Sequence, residues 1–209
     1  MSRYLEVADA DLVEQARTGD RAALDTLLRR HHDRIHLLCL RLCRDRGEAD
    51  DATQEALIAI VRGLDGFDGR SSFSTWSYRI ATNRCLDELR RRRRRPVPVD
   101  DTGPEPVSTD EDPADGAVRS GTRQELLRAL ADLPDEFRVP VVLRDVLDLD
   151  YAAIAEVLGV PPGTVRSRLS RARARLAATL TAPHGNPAGT GDVEETRDHG
   201  TDQRGAPRS

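Results

Sequence analysis

Residues 151–165 have the sequence YAAIAEVLGVPPGTV, and this stretch decides how the chain folds. Its apolar side chains occur at spacings that let two short helices pack across a turn; they are Ile154, Leu158, Val160 and Val165. Gly159 permits the left-handed backbone conformation that such a turn needs, and Asp150 suits the N-cap of the first helix. The stretch therefore predicts a helix-turn-helix, with helices over 150–158 and 162–180.

The helix predicted at 162–180 combines an apolar stripe with a basic surface. The stripe consists of Val165, Leu169, Ala172, Leu176 and Leu180. Arginine forms bidentate hydrogen bonds with guanine edges and with phosphate, and short hydroxyl side chains allow close approach to a groove. A solvated basic face is the alternative interpretation of any arginine-rich helix. The turn signature and the absence of any acid between Gly159 and Ala182 favour DNA contact instead.

Positive charge is concentrated in two segments of a chain whose net charge is −4. Residues 70–95 contain nine arginines and two acids, and residues 159–181 contain five arginines and no acid. Such concentrated patches are typical of surfaces that bind phosphate. The acidic background excludes a uniformly basic nucleic-acid binder and leaves acidic surfaces available for a protein partner.

Proline and glycine divide the chain into two helical modules. In the first module, residues 1–95, we expect a helix N-capped by Asp20, then helices over 48–62 and 74–92, with Pro96 as a stop. The helix over 48–62 should bury Ala52, Leu57, Ile60 and Val61.

Residues 96–121 are rich in proline and acids and predict a disordered acidic linker. The second module, residues 122–182, contains four helical pieces, and residues 183–209 form a disordered tail. The predicted fold class is all-α, with two small helical domains joined by this linker.

Four aromatic residues lie within residues 67–78, interleaved with arginines. Rings that stack on unpaired bases, beside arginines that neutralise the backbone, are the means by which proteins capture single-stranded nucleic acid. The same rings are also suited to a hydrophobic core. For Trp76 the two interpretations stay equally open.

Histidines and cysteines on one helical stripe do not predict a metal site. His32, His36, Cys39 and Cys43 extend over three helical turns, about 16 Å, too far apart to close one tetrahedron. Packing is the favoured interpretation of this stripe. No nucleophilic triad, Gly-rich phosphate loop or paired acid and base is found, so the sequence predicts no catalytic residue, no metal and no cofactor. No apolar run approaches the length of a membrane span, and we expect a cytoplasmic protein.

Two segments of the first module, 50–57 (DDATQEAL) and 73–91 (FSTWSYRIATNRCLDELRR), resemble region 2 of the extracytoplasmic-function (ECF) sigma factors of bacterial RNA polymerase. Residues 133–176, including GTVRSRL at 163–169, are similar to region 4 of the same family. The resemblance covers both modules in the family's order, and a short acidic linker replaces the domain that primary sigma factors carry between them.

The resemblance implies three binding surfaces. Core polymerase would be bound through Asp50, Asp51, Gln54 and Glu55, which face the clamp helices of the largest subunit, while region 4 meets the flap of the second-largest subunit. The melted −10 element would be bound by Phe67, Arg70, Phe73, Trp76, Tyr78, Arg79, Asn83, Arg84, Asp87, Arg90 and Arg91. The duplex −35 element would be bound by Thr164, Arg166, Ser167, Arg168, Ser170, Arg171 and Arg175.

The resemblance also implies functions for the arginine run Arg90–Arg95 and for the linker. The run would contact duplex phosphate between the two elements; a nuclear-localisation patch and a solvated helix end are the alternative interpretations. The linker would thread the RNA-exit path of the polymerase, with a solvated disordered tether as the alternative. An anti-sigma factor is the expected inhibitor; no membrane insertion and no small-molecule substrate are implied. Two rivals remain: a freestanding helix-turn-helix regulator, which would bind duplex DNA by itself, and a scaffold whose arginine patches bind RNA.

Overall fold

The structure, a computed structural model, describes residues 6–43, 45–94 and 116–181, with side chains described outside 92–94 and 116–120. These residues form helices joined by turns, and the part described contains no strand. The all-α fold class predicted from the sequence is therefore confirmed. None of the described helices is long and apolar enough to cross a membrane. The predicted tail and most of the predicted linker lie outside the described residues.

The first module consists of four α-helices and one 3₁₀ turn. They are α1 (Asp9–Arg17), α2 (Arg21–Leu42), α3 (Arg46–Gly63), the 3₁₀ turn Leu64–Gly66 and α4 (Phe73–Arg94). The helices α2, α3 and α4 pack against one another, and α1 packs against α2. Asp20 caps α2 as predicted, because its Oδ1 accepts hydrogen bonds from the amides of Ala22 at 2.9 Å and Ala23 at 3.1 Å.

One prediction about the core of the first module is wrong. Val61 was expected to be buried, but its side chain is 40% exposed on α3. Ala52 and Ile60 are buried as expected, and Leu57 is half-buried. The reason is helical geometry: Val61 points about 100° away from Ile60 and shares the outer side of α3 with Ile58, which is also exposed.

The second module consists of α5 (Gly116–Asp132), α6 (Asp135–Val141), a π-helical turn (Val142–Val146), α7 (Tyr151–Leu158) and α8 (Pro162–Thr181). The helix α5 begins at residue 116, so the last part of the predicted linker is helical. The helices α6 and α7 both pack against α8.

The predicted helix-turn-helix is present with both of its caps. Asp150 Oδ1 accepts from the amide of Ala153 at 2.7 Å, which starts α7. Gly159 has a φ of 63°, and the next amide, that of Val160, donates to the carbonyl of Ala155 at 3.0 Å. This arrangement closes the helix in a Schellman motif. In α8, the predicted stripe is buried up to Ala172, whereas Leu180, at its end, is 39% exposed.

The two modules contact each other. The helix α4 packs against α7, and α2 packs against α6 and the π-helical turn. Between them, Arg34 Nη2 on α2 donates to the carbonyl of Leu147 at 2.6 Å. The modules thus form a compact arrangement held by packing and by at least this one polar contact.

Candidate nucleic-acid interface

The helix α8 presents a polar face that is separated cleanly from its buried face. Val165, Leu169 and Ala172 are almost completely buried. The opposite side of the helix is exposed, because residues three and four positions apart share one face. The exposed members of the predicted set are Arg166, Ser167, Ser170 and Arg171, and Thr164 and Arg168 are half-buried beside them. None of these arginines has a carboxylate partner among the ion pairs of the described residues.

Two other arginines of α8 are engaged within the second module. Arg173 Nη2 donates to Asp145 Oδ1 at 2.7 Å, and this carboxylate raises the pKa of Arg173. The guanidinium of Arg175 lies 4.6 Å from the ring centroid of Phe137, a distance at which a cation is attracted by the face of the ring. Arg175, which the sequence assigned to DNA, therefore stabilises the packing of α6 against α8 in this structure.

The loop over residues 67–72, called the 67–72 loop below, joins the 3₁₀ turn to α4. Phe67 at its start contacts Phe73 just after its end, with ring centroids 5.8 Å apart and the planes nearly perpendicular. Trp76 packs against both rings, at 5.2 Å from Phe67 and 5.6 Å from Phe73. The two ends of the loop are thus held together by the packing of these three rings.

The rings predicted to stack on bases are buried in the structure. The exposed fractions are 6% for Phe67, 3% for Phe73, 8% for Trp76 and 2% for Tyr78. Burial also raises the pKa of Tyr78. A base could stack on any of these rings only after the loop had moved. As the structure stands, the rings form core, and the groups presented to solvent are polar.

The exposed tip of the loop is ordered by local hydrogen bonds. Asp68 Oδ1 accepts from the amide of Arg70 at 3.1 Å, and Gly69 between them has a φ of 71°. The amide and guanidinium of Arg70 lower the pKa of Asp68, which keeps that carboxylate ionised. Ser72 Oγ accepts from the amide of Thr75 at 3.1 Å and so caps α4. Asp68 and Ser72 were not predicted as site residues from the sequence.

A polar stripe continues from the loop along α4. Arg79, Asn83, Asp87 and Arg90 follow one another at intervals of four, four and three residues and so share one face. Arg79, Asn83 and Arg90 are exposed, while Asp87 forms an ion pair with Arg90 at 2.9 Å. Arg84 is half-buried on the neighbouring face. The side chains of Arg92–Arg95 lie outside the described residues.

The residues of α3 that the resemblance assigns to core polymerase are only partly accessible to solvent. Asp51 and Gln54 are exposed, but Glu55 Oε2 accepts from Arg91 of α4 at 3.3 Å. Ile58 and Val61 follow Asp51 and Gln54 on the same side of the helix and are 42% and 40% exposed. Asp50 lies beside His36, with 3.7 Å between Oδ1 and Nδ1. The accessible face of α3 is therefore mixed, with the polar side chains of Asp51 and Gln54 and the aliphatic side chains of Ile58 and Val61.

A residue far away in the sequence holds the entry to the 67–72 loop. Arg17, the last residue of α1, donates to the carbonyl of Leu64 from Nε at 3.1 Å and from Nη2 at 3.0 Å. Its Nη2 also reaches the carbonyls of Asp65, at 3.3 Å, and Phe67. This contact could not be predicted from the sequence, because no local pattern relates residues 47 to 50 positions apart.

The three cysteines are free and buried. Cys85 of α4 lies beside Cys39 of α2 and beside Cys43, which directly follows α2, and these neighbouring thiols together with burial raise the pKa of Cys85. A thiol held in its protonated form inside a core is a poor nucleophile. The cluster thus packs α2 against α4, as expected for Cys39 and Cys43, whereas His32 of the same stripe is exposed and His36 is half-buried.

Comparison with known proteins identifies the family. The Sigma-70 region 2 family matches residues 27–95, and the Sigma-70 region 4 family matches residues 123–176. The ECF RNA polymerase sigma factor SigM of Mycobacterium tuberculosis is 41% identical over 176 residues, which cover 84% of this chain and 86% of that protein. The ECF RNA polymerase sigma-E factor of Escherichia coli is 34% identical over 80% of this chain and 92% of its own length.

A solved structure agrees with this. CnrH, in complex with the cytosolic domain of CnrY, matches the fold with a TM-score of 0.64 and 26% identity, over 84% of this chain and 98% of CnrH. A helical chain with a helix-turn-helix and a second basic module thus defines a DNA-binding transcription initiation factor. The chain belongs to the sigma-70 family, in its extracytoplasmic-function group.

Proposed function

We propose that this sigma factor reads the duplex −35 element with α8 and holds the melted −10 element with the 67–72 loop and the polar stripe of α4. The observation that carries this proposal is the presence of regions 2 and 4 in one chain, each with an exposed polar surface on its basic segment. The chain acts as a non-catalytic subunit of RNA polymerase, in the cytoplasm.

Base recognition is assigned to a smaller set of α8 side chains than the spacing alone suggested. Arg166, Ser170 and Arg171 are exposed and form no ion pair among the described residues, and Ser167 is exposed with its hydroxyl donating to the carbonyl of Thr164 at 3.0 Å, which leaves its oxygen able to accept. Arg173 and Arg175 would first have to leave Asp145 and Phe137. A side chain that is already satisfied gains less from a new contact, so these two arginines contribute less to DNA binding.

Capture of the −10 strand is assigned to the polar rim of the 67–72 loop. Arg70 and the arginines of α4 supply positive charge for a single-stranded backbone, and the loop's hydroxyls and amides can meet base edges. A base that leaves the duplex loses stacking worth a few kcal/mol, which the protein must offset. The buried rings of Phe67, Phe73 and Trp76 would support this surface from below.

We assign the binding of core polymerase to the mixed face of α3. Asp51 and Gln54 provide polar contacts for the clamp helices, and Ile58 and Val61 provide apolar area that the free chain leaves exposed. Interface centres are depleted of charge and enriched in apolar side chains, so a mixed face suits a stable subunit contact better than a purely acidic one. The flap of the second-largest subunit is the expected partner of the second module.

Promoter binding requires the two modules to separate. Elements centred near −35 and −10 are roughly 25 base pairs apart, which is about 85 Å along the duplex at 3.4 Å per pair. The contact of α4 with α7 and the bond from Arg34 to Leu147 hold the modules together in this structure. The 21 residues from 95 to 115 have a maximum extended length of about 70 Å. The remaining distance is less than the length of one long helix of a module, since the 20 residues of α8 span about 30 Å, so the modules could reach both elements on the polymerase.

An anti-sigma factor is the proposed inhibitor. CnrH, which shares the fold, was solved with the cytosolic domain of CnrY. A partner of this kind would keep the modules together or cover α3, α4 or α8. Affinity purification of the tagged chain from its own cells should recover such a protein in addition to polymerase subunits. Recovery of polymerase subunits alone would contradict this part of the proposal.

In vitro transcription tests the proposal as a whole. Core polymerase is incubated with genomic DNA fragments, with and without the chain, and start sites are mapped. We expect new start sites that share two upstream sequence elements, and weak or no specific duplex binding by the chain alone. If core polymerase gains no new start site, the proposal fails. Specific duplex binding without polymerase would favour a freestanding regulator instead.

A further inference from the structure

The 67–72 loop follows a helix end whose carbonyl groups need donors. The helix α3 ends at Gly63 and continues into the 3₁₀ turn Leu64–Gly66. The last carbonyls of a helix have no partner within the helix and carry partial negative charge. Here the amide of Phe67 donates to the carbonyl of Leu64 at 3.1 Å, but it is the guanidinium of Arg17 that reaches several of these carbonyls at once.

Arg17 contacts three carbonyls from one side chain. Nε and Nη2 both donate to Leu64, and Nη2 also reaches Asp65 and Phe67. Nη1 is held by Glu14 Oε1 at 2.7 Å, one turn earlier on the same helix. The guanidinium is a rigid planar fork, so fixing one end of it fixes the direction of the others.

The helix that carries Arg17 is itself anchored to the core. Asp9, in the first turn of α1, accepts from Arg30 at 2.5 Å and lies 2.7 Å from His31 Nε2. Arg30 also donates to the carbonyl of Val7 at 2.9 Å. The ring of His31 packs against Phe73, with centroids 5.0 Å apart. Both ends of the 67–72 loop are therefore tied, directly or through one residue, to the pairing of α1 with α2.

We propose that Arg17 is a positioning residue that orders the 67–72 loop for capture of the −10 strand. The inference rests on the proposed function, which assigns −10 capture to this loop. Arg17 touches no base; it fixes the backbone at which the loop begins. Because one guanidinium binds the carbonyls of Leu64, Asp65 and Phe67, the tip of the loop has a single conformation already in the absence of DNA.

Arg17 should therefore raise the affinity for −10 DNA by increasing the fraction of molecules in which the loop is ordered. When the binding-competent form is only a fraction of all molecules, the apparent Kd rises by the inverse of that fraction. If Arg17→Ala leaves the loop ordered about one tenth of the time, the Kd for −10 DNA rises about tenfold. Binding of −35 DNA by α8 should be unaffected, because α8 packs against α5, α6 and α7 of the second module.

The first test measures binding by the reconstituted holoenzyme. The probe is a fluorescent single strand that carries the −10 element found by start-site mapping, with a scrambled strand as reference. For Arg17→Ala we expect about a tenfold higher Kd for the −10 strand and a smaller ratio between the two strands. Arg17→Lys should recover part of the loss, since an ammonium can still meet one or two carbonyls. For duplex promoter DNA, scrambling the −35 element should lower the affinity of the Arg17→Ala holoenzyme by the same factor as that of the wild type.

Two variants serve as matched controls. Arg29→Ala removes an exposed arginine whose partner Asp25 lies on its own helix, and it should bind the −10 strand like the wild type. Glu14→Gln removes the ion pair to Nη1 but leaves the donors to the carbonyls, and it should change the Kd less than twofold. If Arg29→Ala weakens −10 binding as much as Arg17→Ala, the effect is one of general charge and the inference is overturned.

Amide hydrogen exchange of the full-length chain gives a readout that does not depend on DNA. Arg17→Ala should speed exchange in peptides that cover residues 65–72, while peptides from α2 and α8 stay as in the wild type. Unchanged exchange in the loop overturns the inference, even if DNA binding falls. If wild-type holoenzyme does not distinguish the −10 strand from the scrambled strand, the proposed function fails, and the exchange data still report whether Arg17 orders the loop. Should Arg17→Ala not fold, Arg17→Lys carries both measurements.

Discussion

The two surfaces assigned to DNA, helix α8 and the 67–72 loop, are built in opposite ways. On α8 the helical period alone separates buried side chains such as Leu169 from exposed ones such as Arg171. In the loop the ring of Phe67 is buried against Phe73 and Trp76, and the surface consists of backbone and polar side chains, Arg70 among them. The backbone where this surface begins is held by Arg17, about 50 residues earlier. A DNA-binding surface on a regular helix is thus local in sequence, whereas one on a loop depends on distant contacts.

The largest expected effect tests whether the rings of the loop are core. Phe73→Ala should lower the free energy of unfolding by about 3–5 kcal/mol, because it removes a fully buried ring that packs against Phe67, Trp76 and His31. Urea denaturation of the full chain, followed by circular dichroism, measures the change. Ile58→Ala, at an exposed position, is the control and should change stability by less than about 1 kcal/mol. If Phe73→Ala leaves the urea midpoint unchanged but weakens −10 binding, the ring stacks on a base and is not part of the core. The loop surface would then not differ from α8 in the way described above.

This contrast explains what could be predicted from the sequence. The helix-turn-helix, both of its caps and the N-cap of α2 followed from local spacing and capping chemistry, and each is present. The exposure of Val61 and the contact of Arg175 with Phe137 could not be predicted in this way. Val61 faces solvent because of its exact angular position on α3, and Arg175 faces Phe137 because α6 packs there. Spacing identifies which residues share a face, but only the packing of other elements decides what that face meets.

The next effect separates two arginines of α8 that the sequence treated alike. Arg171→Ala should weaken holoenzyme binding to the preferred −35 element by about 1–3 kcal/mol and much less to a scrambled element, as expected for a base-reading arginine. Arg175→Ala should leave −35 selectivity nearly intact. Its cost should appear as about 0.5–1 kcal/mol of folding stability, since the cation over Phe137 is lost. Fluorescence anisotropy with the two duplexes, beside urea denaturation, gives both quantities. Equal loss of selectivity in the two variants would contradict the assignment.

A smaller effect tests the turn that sets α8 at its angle. Gly159→Ala should destabilise the second module by about 1–2 kcal/mol, because its φ of 63° is unfavourable for a residue with a Cβ atom. No atom lies within 4 Å of the added Cβ, so the cost arises from the backbone alone. Gly163→Ala is the matched control: it also meets no atom within 4 Å, but its φ is not positive, and it lies in the first turn of α8. Thermal unfolding should show a loss for the first variant and no loss for the second. The same result for both would mean that the turn does not require a left-handed residue.

The smallest expected effect is a dependence of stability on pH that originates beside the loop. Burial lowers the pKa of His31 from its ordinary value of 6.5, against the opposing attraction of Asp9 and with support from Arg30 and Arg34. The folded protein therefore binds a proton at this ring less readily than the unfolded chain does. Stability from this group is fully present above about pH 6.5 and is lost as the pH falls through the lower folded-state pKa.

Urea denaturation between pH 7.5 and pH 5 measures this effect, and His31→Gln removes it. The wild type should lose stability on acidification more steeply than His31→Gln, by less than about 1.4 kcal/mol for each unit by which the pKa is lowered. His32→Gln, an exposed neighbour on α2, should retain the wild-type slope. Because His31 packs against Phe73, acidification should also lower the protection of residues 67–72 against amide exchange, relative to the intrinsic exchange rate at each pH, before the chain unfolds as a whole. If this protection does not change with pH while α1 loosens from α2, the 67–72 loop depends less on distant contacts than its structure indicates.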